Sequence, residues 1–142
     1  MDDFDGIEFS LNLSKTSKYL TFHIRDNLLK FNVNNSEVPI LIALYVNGSL
    51  NQEDLYKIYQ LNDSTVAKAL LRLEEKGFIE REINPKDRRR KIVKLTSRGK
   101  DVSEKVLVPE DFFNKMFKNF SKEELNQLEY LFGKLMNNID EV

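Results

Sequence analysis

Between Asn62 and Gly77 the stretch NDSTVAKALLRLEEKG sorts its residues onto two opposite faces of one helix. Val66, Ala69, Leu70 and Leu73 stand at i, i+3, i+4 and i+7, the spacing that gathers side chains into a single stripe. Ser64, Thr65, Lys68 and Arg72 take the other side, so the outer face carries hydroxyls first and cations after them. Asn62 is placed to cap the helix, Asp63 to meet the positive end of its dipole, Lys76 to close the last turn and Gly77 to supply the exit. Leu71 lies at the edge of the outer face, and the pattern alone does not account for it. A helix this sharply divided has to bury one side and present the other.

The neighbours of that helix define what it presents. Before it, Asn51 and Asp54 resemble a weak capping arrangement for a short helix in which Leu55, Ile58 and Tyr59 face inward and which ends near Gln60. Two helices joined by the short link QLN, the second exposing small hydrogen-bonding residues and then cations, meet the requirements of a helix-turn-helix entering a major groove. After Gly77, FIEREI alternates as a strand, Asn84 to Arg90 reads as a turn, and KIVKL alternates again. The result is a β-hairpin directly behind the candidate recognition helix, a wing, with Lys86, Arg88, Arg89, Arg90 and Lys91 crowded around its turn.

Cations packed so closely repel one another, and the overall composition does not explain them: the chain of 142 residues has a net charge of −1. The charge is unevenly spread. Residues 62–100 hold 12 Lys and Arg against 6 Asp and Glu, a net +6, leaving a net −7 for the rest. A basic segment inside an acidic chain is an electrostatic footprint for a polyanion. A basic hairpin also suits the minor groove, where negative potential favours an inserted arginine and the phosphates favour its neighbours.

The flanks read as helices. Leu13, Leu20, Ile24, Leu28 and Phe31 recur at near-helical spacing and predict a long first helix from about Ser10 to Phe31. Ser36 reads as the cap of a second, with Pro39 in its first turn; ILIALYV is apolar nearly all round, which predicts central burial before Gly48 ends it. Thr96 caps the next helix, which Pro109 divides. Phe112, Phe113, Met116, Phe117 and Phe120 then form an aromatic-rich segment. Ser121 and Glu124 make a capping box for a last helix whose Leu125, Leu128, Phe132, Leu135 and Ile139 form a seam that needs a partner. The predicted fold class is mainly α with a small β-hairpin wing.

At this point the segment LNQEDLYKIYQLNDSTVAKALLRLEEKGFIEREINPKDRRRKIVKLTSRGK resembles the winged helix-turn-helix of MarR-type transcription regulators. The resemblance rests on the recognition helix, on the junction formed by Leu70, Leu73, Glu74, Gly77, Phe78, Ile79 and Arg81, and on the wing signature Asp87, Arg89, Leu95, Thr96 and Gly99. It implies one domain over residues 1–142, with a dimerisation helix in 1–35, the winged core in 36–95 and dimerisation helices in 96–142. It implies a homodimer that presents two recognition helices to successive turns of a pseudo-palindromic operator. It further implies that Arg89 enters the minor groove with Asp87 orienting it; Arg88 and Arg90 are extra cations where the family varies. Many such proteins respond to small aromatic acids or phenolic compounds bound between the dimer helices and the winged core. Phe22, Tyr45 and Phe112 are the aromatics to inspect near such a pocket.

Other chemistry finds little support. The chain has no cysteine, which removes thiolate nucleophiles and zinc ribbons, and His23 is its only histidine, better suited to packing than to a metal. Glu74 and Glu75, like Glu123 and Glu124, point about 100° apart on a helix and make poor acid/base pairs. No cofactor and no enzymatic activity are expected. No window approaches the roughly 18 apolar residues of a membrane span, and the acidic start MDDFDGIEF does not suit a secretory signal, so a cytoplasmic protein is expected. The competing class is a winged helix used for protein interaction inside a larger assembly, and the placement of the cations argues against it.

Overall fold

The computed structural model describes residues 3–58 and 62–140. Its elements run α1 (Gly6–Lys30), α2 (Val38–Asn47), β1 (Ser49–Asn51), α3 (Gln52–Ile58), α4 (Asp63–Glu75), β2 (Ile79–Asn84), β3 (Asp87–Leu95), α5 (Ser97–Leu107), α6 (Glu110–Met116) and α7 (Lys122–Asp140). Contacts divide the chain into two compact units, the first reaching Glu110 and the second starting at Asp111.

In the first unit, Val66, Ala69, Leu70 and Leu73 are all fully buried, as their spacing in α4 predicts. They join Ile40, Leu41 and Leu44 of α2, Leu55 of α3, Val93 of β3 and Val106 of α5 in one hydrophobic core. Asn62 Oδ1 accepts from the Thr65 N–H at 2.8 Å, the expected cap. Gly77, at φ 78, turns the chain so that the Phe78 N–H reaches Leu73 O at 2.9 Å. Thr96 caps α5 through the Gly99 N–H at 3.0 Å and donates its own hydroxyl to Gly77 O at 2.6 Å, fastening the start of α5 to the end of α4. Gly99 is where that junction closes, since a Cβ there would collide with the Phe78 carbonyl oxygen.

Several local expectations are corrected. The first helix starts at Gly6 rather than near Ser10, because Asp5 Oδ1 caps it by accepting from Ile7 N at 2.9 Å and Glu8 N at 3.0 Å. Ser36 does not cap α2; Glu37 occupies that position without a side-chain cap, and Ser36 Oγ donates to Asn34 Oδ1 at 2.7 Å. Burial of α2 is one-sided, with Ile42, Tyr45 and Val46 exposed. Asn51, directly before α3, also ends a strand: β1 pairs antiparallel with β3, giving a three-stranded sheet of order β1-β3-β2 in place of a bare hairpin. The Ile58 side chain, Tyr59 and Gln60 lie outside the described residues. His23 is packed among rings, 4.6 Å from the Tyr19 centroid and 5.5 Å from that of Phe22.

The second unit is helical. α5 ends at Leu107 and α6 begins at Glu110, so Pro109 falls in the break as expected. Phe112, which is buried, meets Phe113 edge-on at 5.1 Å between ring centroids. Ser121 Oγ accepts from Glu124 N at 3.1 Å, one half of the expected capping box. Along α7, Leu125, Phe132, Leu135 and Ile139 are exposed, and Leu128 is half-buried.

Candidate nucleic-acid interface

Two elements of the first unit carry the residues singled out in the sequence. On α4, Ser64 and Lys68 are exposed, while Thr65 is half-buried with its N–H held in the Asn62 cap. Leu71 is also exposed, at the edge of the same surface. Arg72 differs from a simple surface cation: its Nε lies 3.1 Å from Glu37 Oε1 and its Nη2 donates to Ser36 Oγ at 3.0 Å. Its side chain keeps 38% exposure.

The wing is built to carry its arginines away from the ladder. The turn is tighter than the sequence suggests, Pro85 and Lys86 alone connecting β2 to β3. Ile83 pairs with Lys91, yet the next residue of β2, Asn84, pairs with Asp87. Arg88, Arg89 and Arg90 are therefore extra residues of β3 with no register partner in β2, a bulge that lifts all three out of the pairing. Asn84 Oδ1 accepts from the Lys86 N–H at 2.9 Å, and Asn84 Nδ2 donates to Asn51 Oδ1 at 3.0 Å, which anchors the turn to β1.

Asp87 offsets the repulsion among these cations. Its Oδ1 accepts from the backbone N–H and Nε of Arg89, and its Oδ2 lies 3.4 Å from Arg90 Nε. Arg90 Nε also lies 3.3 Å from Glu53 Oε2, at the start of α3. One carboxylate thus organises two arginines, and the Arg89 side chain remains 91% exposed. Lys86 and Arg88 are exposed as well.

The candidate recognition helix α4 and the wing are joined by an ion pair. Arg81 of β2 donates from Nε and Nη2 to the two carboxylate oxygens of Glu74, both at 2.9 Å, and its Nη1 reaches Gln52 Oε1 at 3.3 Å. The hydrogen bond from Arg81 holds the Glu74 carboxyl below the usual glutamate range, and Glu74 raises Arg81 in return. Behind the wing, Lys94 sits 3.4 Å from both Glu80 and Glu82, and its ammonium is raised chiefly by the hydrogen bond to Glu80.

A separate cavity of about 270 Å³ lies between α2 and the start of α5, lined by Leu44, Tyr45, Leu95, Thr96, Ser97 and Lys100 among others. Of the three aromatics singled out for a pocket, Tyr45 lines it. Phe22 is exposed on α1, and Phe112 belongs to the second unit. The Tyr45 hydroxyl donates to Glu104 Oε1 at 3.0 Å, and this bond raises the phenol above its ordinary value. Among the described residues, no group of three or more His, Cys, Asp or Glu could hold a metal ion, and no helix is long and apolar enough to cross a membrane.

Sequence reasoning missed β1, the Glu37 contacts and the Arg81 bridge to Gln52. Asn51 carried a faint signal, since a polar residue between Leu50 and Gln52 can end a strand as well as cap a helix.

A helix-turn-helix followed by a basic antiparallel wing defines the winged helix-turn-helix class of DNA-binding protein. The comparisons make the class specific. Residues 33–91 match the model of the MarR family. The HTH-type transcriptional regulator YwhA of Bacillus subtilis (strain 168) is 31% identical over 136 residues, 94% of this chain and 98% of that protein. Among solved structures, a mutant MepR from a multidrug-resistant S. aureus clinical isolate superposes with a TM-score of 0.76 at 26% identity, covering 96% of this chain and 99% of that one. A mutant of E. coli MarR complexed with operator DNA superposes with a TM-score of 0.60 at 25% identity, covering 91% and 94%. The chain belongs to the MarR family, whose members are DNA-binding transcription regulators and not enzymes.

Proposed function

We propose that the protein is a homodimeric, sequence-specific regulator, a cytoplasmic repressor that leaves its operator when a small aromatic or phenolic ligand binds. The observation that carries it is the wing: three arginines outside the ladder, one of them 91% exposed and aligned by Asp87, beside a helix that exposes Ser64 and Lys68. Ser64, Thr65, Lys68 and Arg72 meet the major groove or its phosphates. Arg89 enters the minor groove, oriented by Asp87, while Lys86, Arg88 and Arg90 meet the flanking phosphates.

The domain is read as a dimerisation helix in residues 1–35, the winged core in 36–95 and dimerisation helices in 96–142. The exposed apolar seam of α7 supports pairing with a second copy, because a stripe of Leu125, Phe132, Leu135 and Ile139 needs cover. The cavity at Tyr45 and Lys100 supports an effector that combines an aromatic ring with an acidic group. Such a ligand weakens DNA binding only by the difference in its affinity for the DNA-competent and incompetent geometries.

Footprinting on the region upstream of the protein's own gene tests this function. Protection over two half-sites one helical turn apart, lost on adding an aromatic acid, is the expected result. Protection of a single half-site would overturn the dimer, and protection insensitive to a panel of aromatic acids and phenols would overturn the proposed effector class.

A further inference from the structure

Glu37 is fully buried at the foot of the recognition helix. Its Oε1 accepts from Arg72 Nε at 3.1 Å, Lys76 Nζ at 2.9 Å and Asn34 Nδ2 at 3.0 Å. Its Oε2 accepts from Lys76 Nζ at 2.8 Å and from the Asn34 backbone N–H at 3.2 Å. Lys76 Nζ also reaches the carbonyl of Asn32, a residue held at φ 55, at 2.8 Å. The turn between α1 and α2 is thereby latched to the C-terminal half of α4.

The two cations of this node are not equivalent. The Lys76 side chain is 19% exposed, and its three ammonium contacts all go to the α1–α2 turn and Glu37. Arg72 is 38% exposed, and its bonds to Glu37 and Ser36 use only Nε and one edge of Nη2. A guanidinium has five N–H donors in a fixed fork. Clamped on one edge, it keeps donors for a second partner while having already lost the rotamer freedom that binding would otherwise remove.

We infer that Glu37 is a positioning residue for DNA recognition: it holds Arg72 in one orientation, one turn beyond Lys68, so that the guanidinium meets the DNA already ordered. This rests on the DNA-facing role of Arg72 proposed above. The sign of the effect separates it from simple electrostatics. Neutralising Glu37 adds one positive charge to the interface, and attraction alone would then tighten binding to any duplex.

The experiment measures affinity for the native upstream duplex and for a scrambled duplex with wild type, Glu37→Gln, Arg72→Gln and the double variant, each checked for folding by circular dichroism. Glu37→Gln is expected to weaken native-duplex binding about tenfold, leave scrambled-duplex affinity unchanged or higher, and add less than about twofold in the Arg72→Gln background, the non-additivity of residues that act together. Equal losses on both duplexes, or losses that multiply in the double variant, would overturn the inference. If Glu37→Gln does not fold, Ser36→Ala removes the second anchor of Arg72 and leaves the buried carboxylate paired. A smaller loss that vanishes in the Arg72→Gln background supports the inference, and a loss that persists there overturns it. A wild-type chain that binds neither duplex overturns this inference together with the proposed function; native binding without the coupling overturns this inference alone.

Discussion

Asp87 Oδ1 receives both the backbone N–H of Arg89, at 3.1 Å, and its Nε, at 3.3 Å, so the aspartate fixes the direction in which this 91% exposed arginine leaves the wing. Arg89→Ala should weaken operator binding by ~1–3 kcal/mol while leaving the melting temperature unchanged. Asp87→Ala should also weaken it, although it makes the wing more positive. Tighter binding by the Asp87 variant in a fluorescence-anisotropy titration would show that charge, not orientation, governs the contact.

Lys86 stands in the turn, exposed, with its backbone N–H engaged by Asn84 and, among the described residues, no ion pair from its ammonium. A phosphate contact carries no sequence information, so Lys86→Ala should reduce affinity equally for native and scrambled duplexes and flatten the salt dependence by about one phosphate, ~0.9 in slope. Loss confined to the native duplex would assign Lys86 to a base edge.

How much of this was legible follows from the range of the interactions. The stripe of Val66, Ala69, Leu70 and Leu73, the Asn62 cap and the Thr96 cap are local, each decided within about two helical turns, and all stand as the sequence predicts. The Asp5 cap is equally local, but the apolar periodicity of α1 begins only several residues after it, so the periodicity does not mark the helix start. β1 was invisible for a different reason: three residues form a strand only because Leu50 meets Val93 across the sheet. In the sequence Arg72 is one more cation of the outer face of α4, and its anchor, Glu37, lies 35 residues away. The arginine run read as turn because a bulge is a property of two strands in register, and one strand alone does not reveal it.

Gly99 gives a stability prediction. Its position against the Phe78 carbonyl leaves no room for a methyl group, and the obstruction is backbone rather than a flexible side chain. Gly99→Ala should destabilise the winged core by at least ~1–3 kcal/mol. A denaturant midpoint equal to wild type would mean that α5 shifts freely against the end of α4.

The Glu74–Arg81 pair sets an acid-side dependence. The folded carboxyl titrates below its ordinary value of about 4.3, so its contribution to stability is present above that pH and is lost as pH falls through the lower folded value. Glu74 is 42% exposed, so solvent screening keeps the contribution at or below about 1 kcal/mol. Glu74→Gln should be slightly less stable than wild type at neutral pH and converge with it under acid. A stability gap that widens on acidification would contradict the assignment.

α7 bears on the proposed dimer. Leu135→Asp puts a charge into the exposed seam of Leu125, Phe132 and Ile139 and should shift the protein to a monomer in sedimentation velocity, with operator affinity falling in parallel. A dimer that survives this change would place the interface elsewhere.

DNA recognition is tested most directly by a salt titration of the purified protein on its own upstream duplex against a scrambled duplex of the same length. A clear preference for the native sequence is expected, with log affinity falling steeply and linearly in log salt, as several phosphate contacts require. Equal affinity for the two duplexes at every salt concentration, or no binding even at low salt, would contradict it.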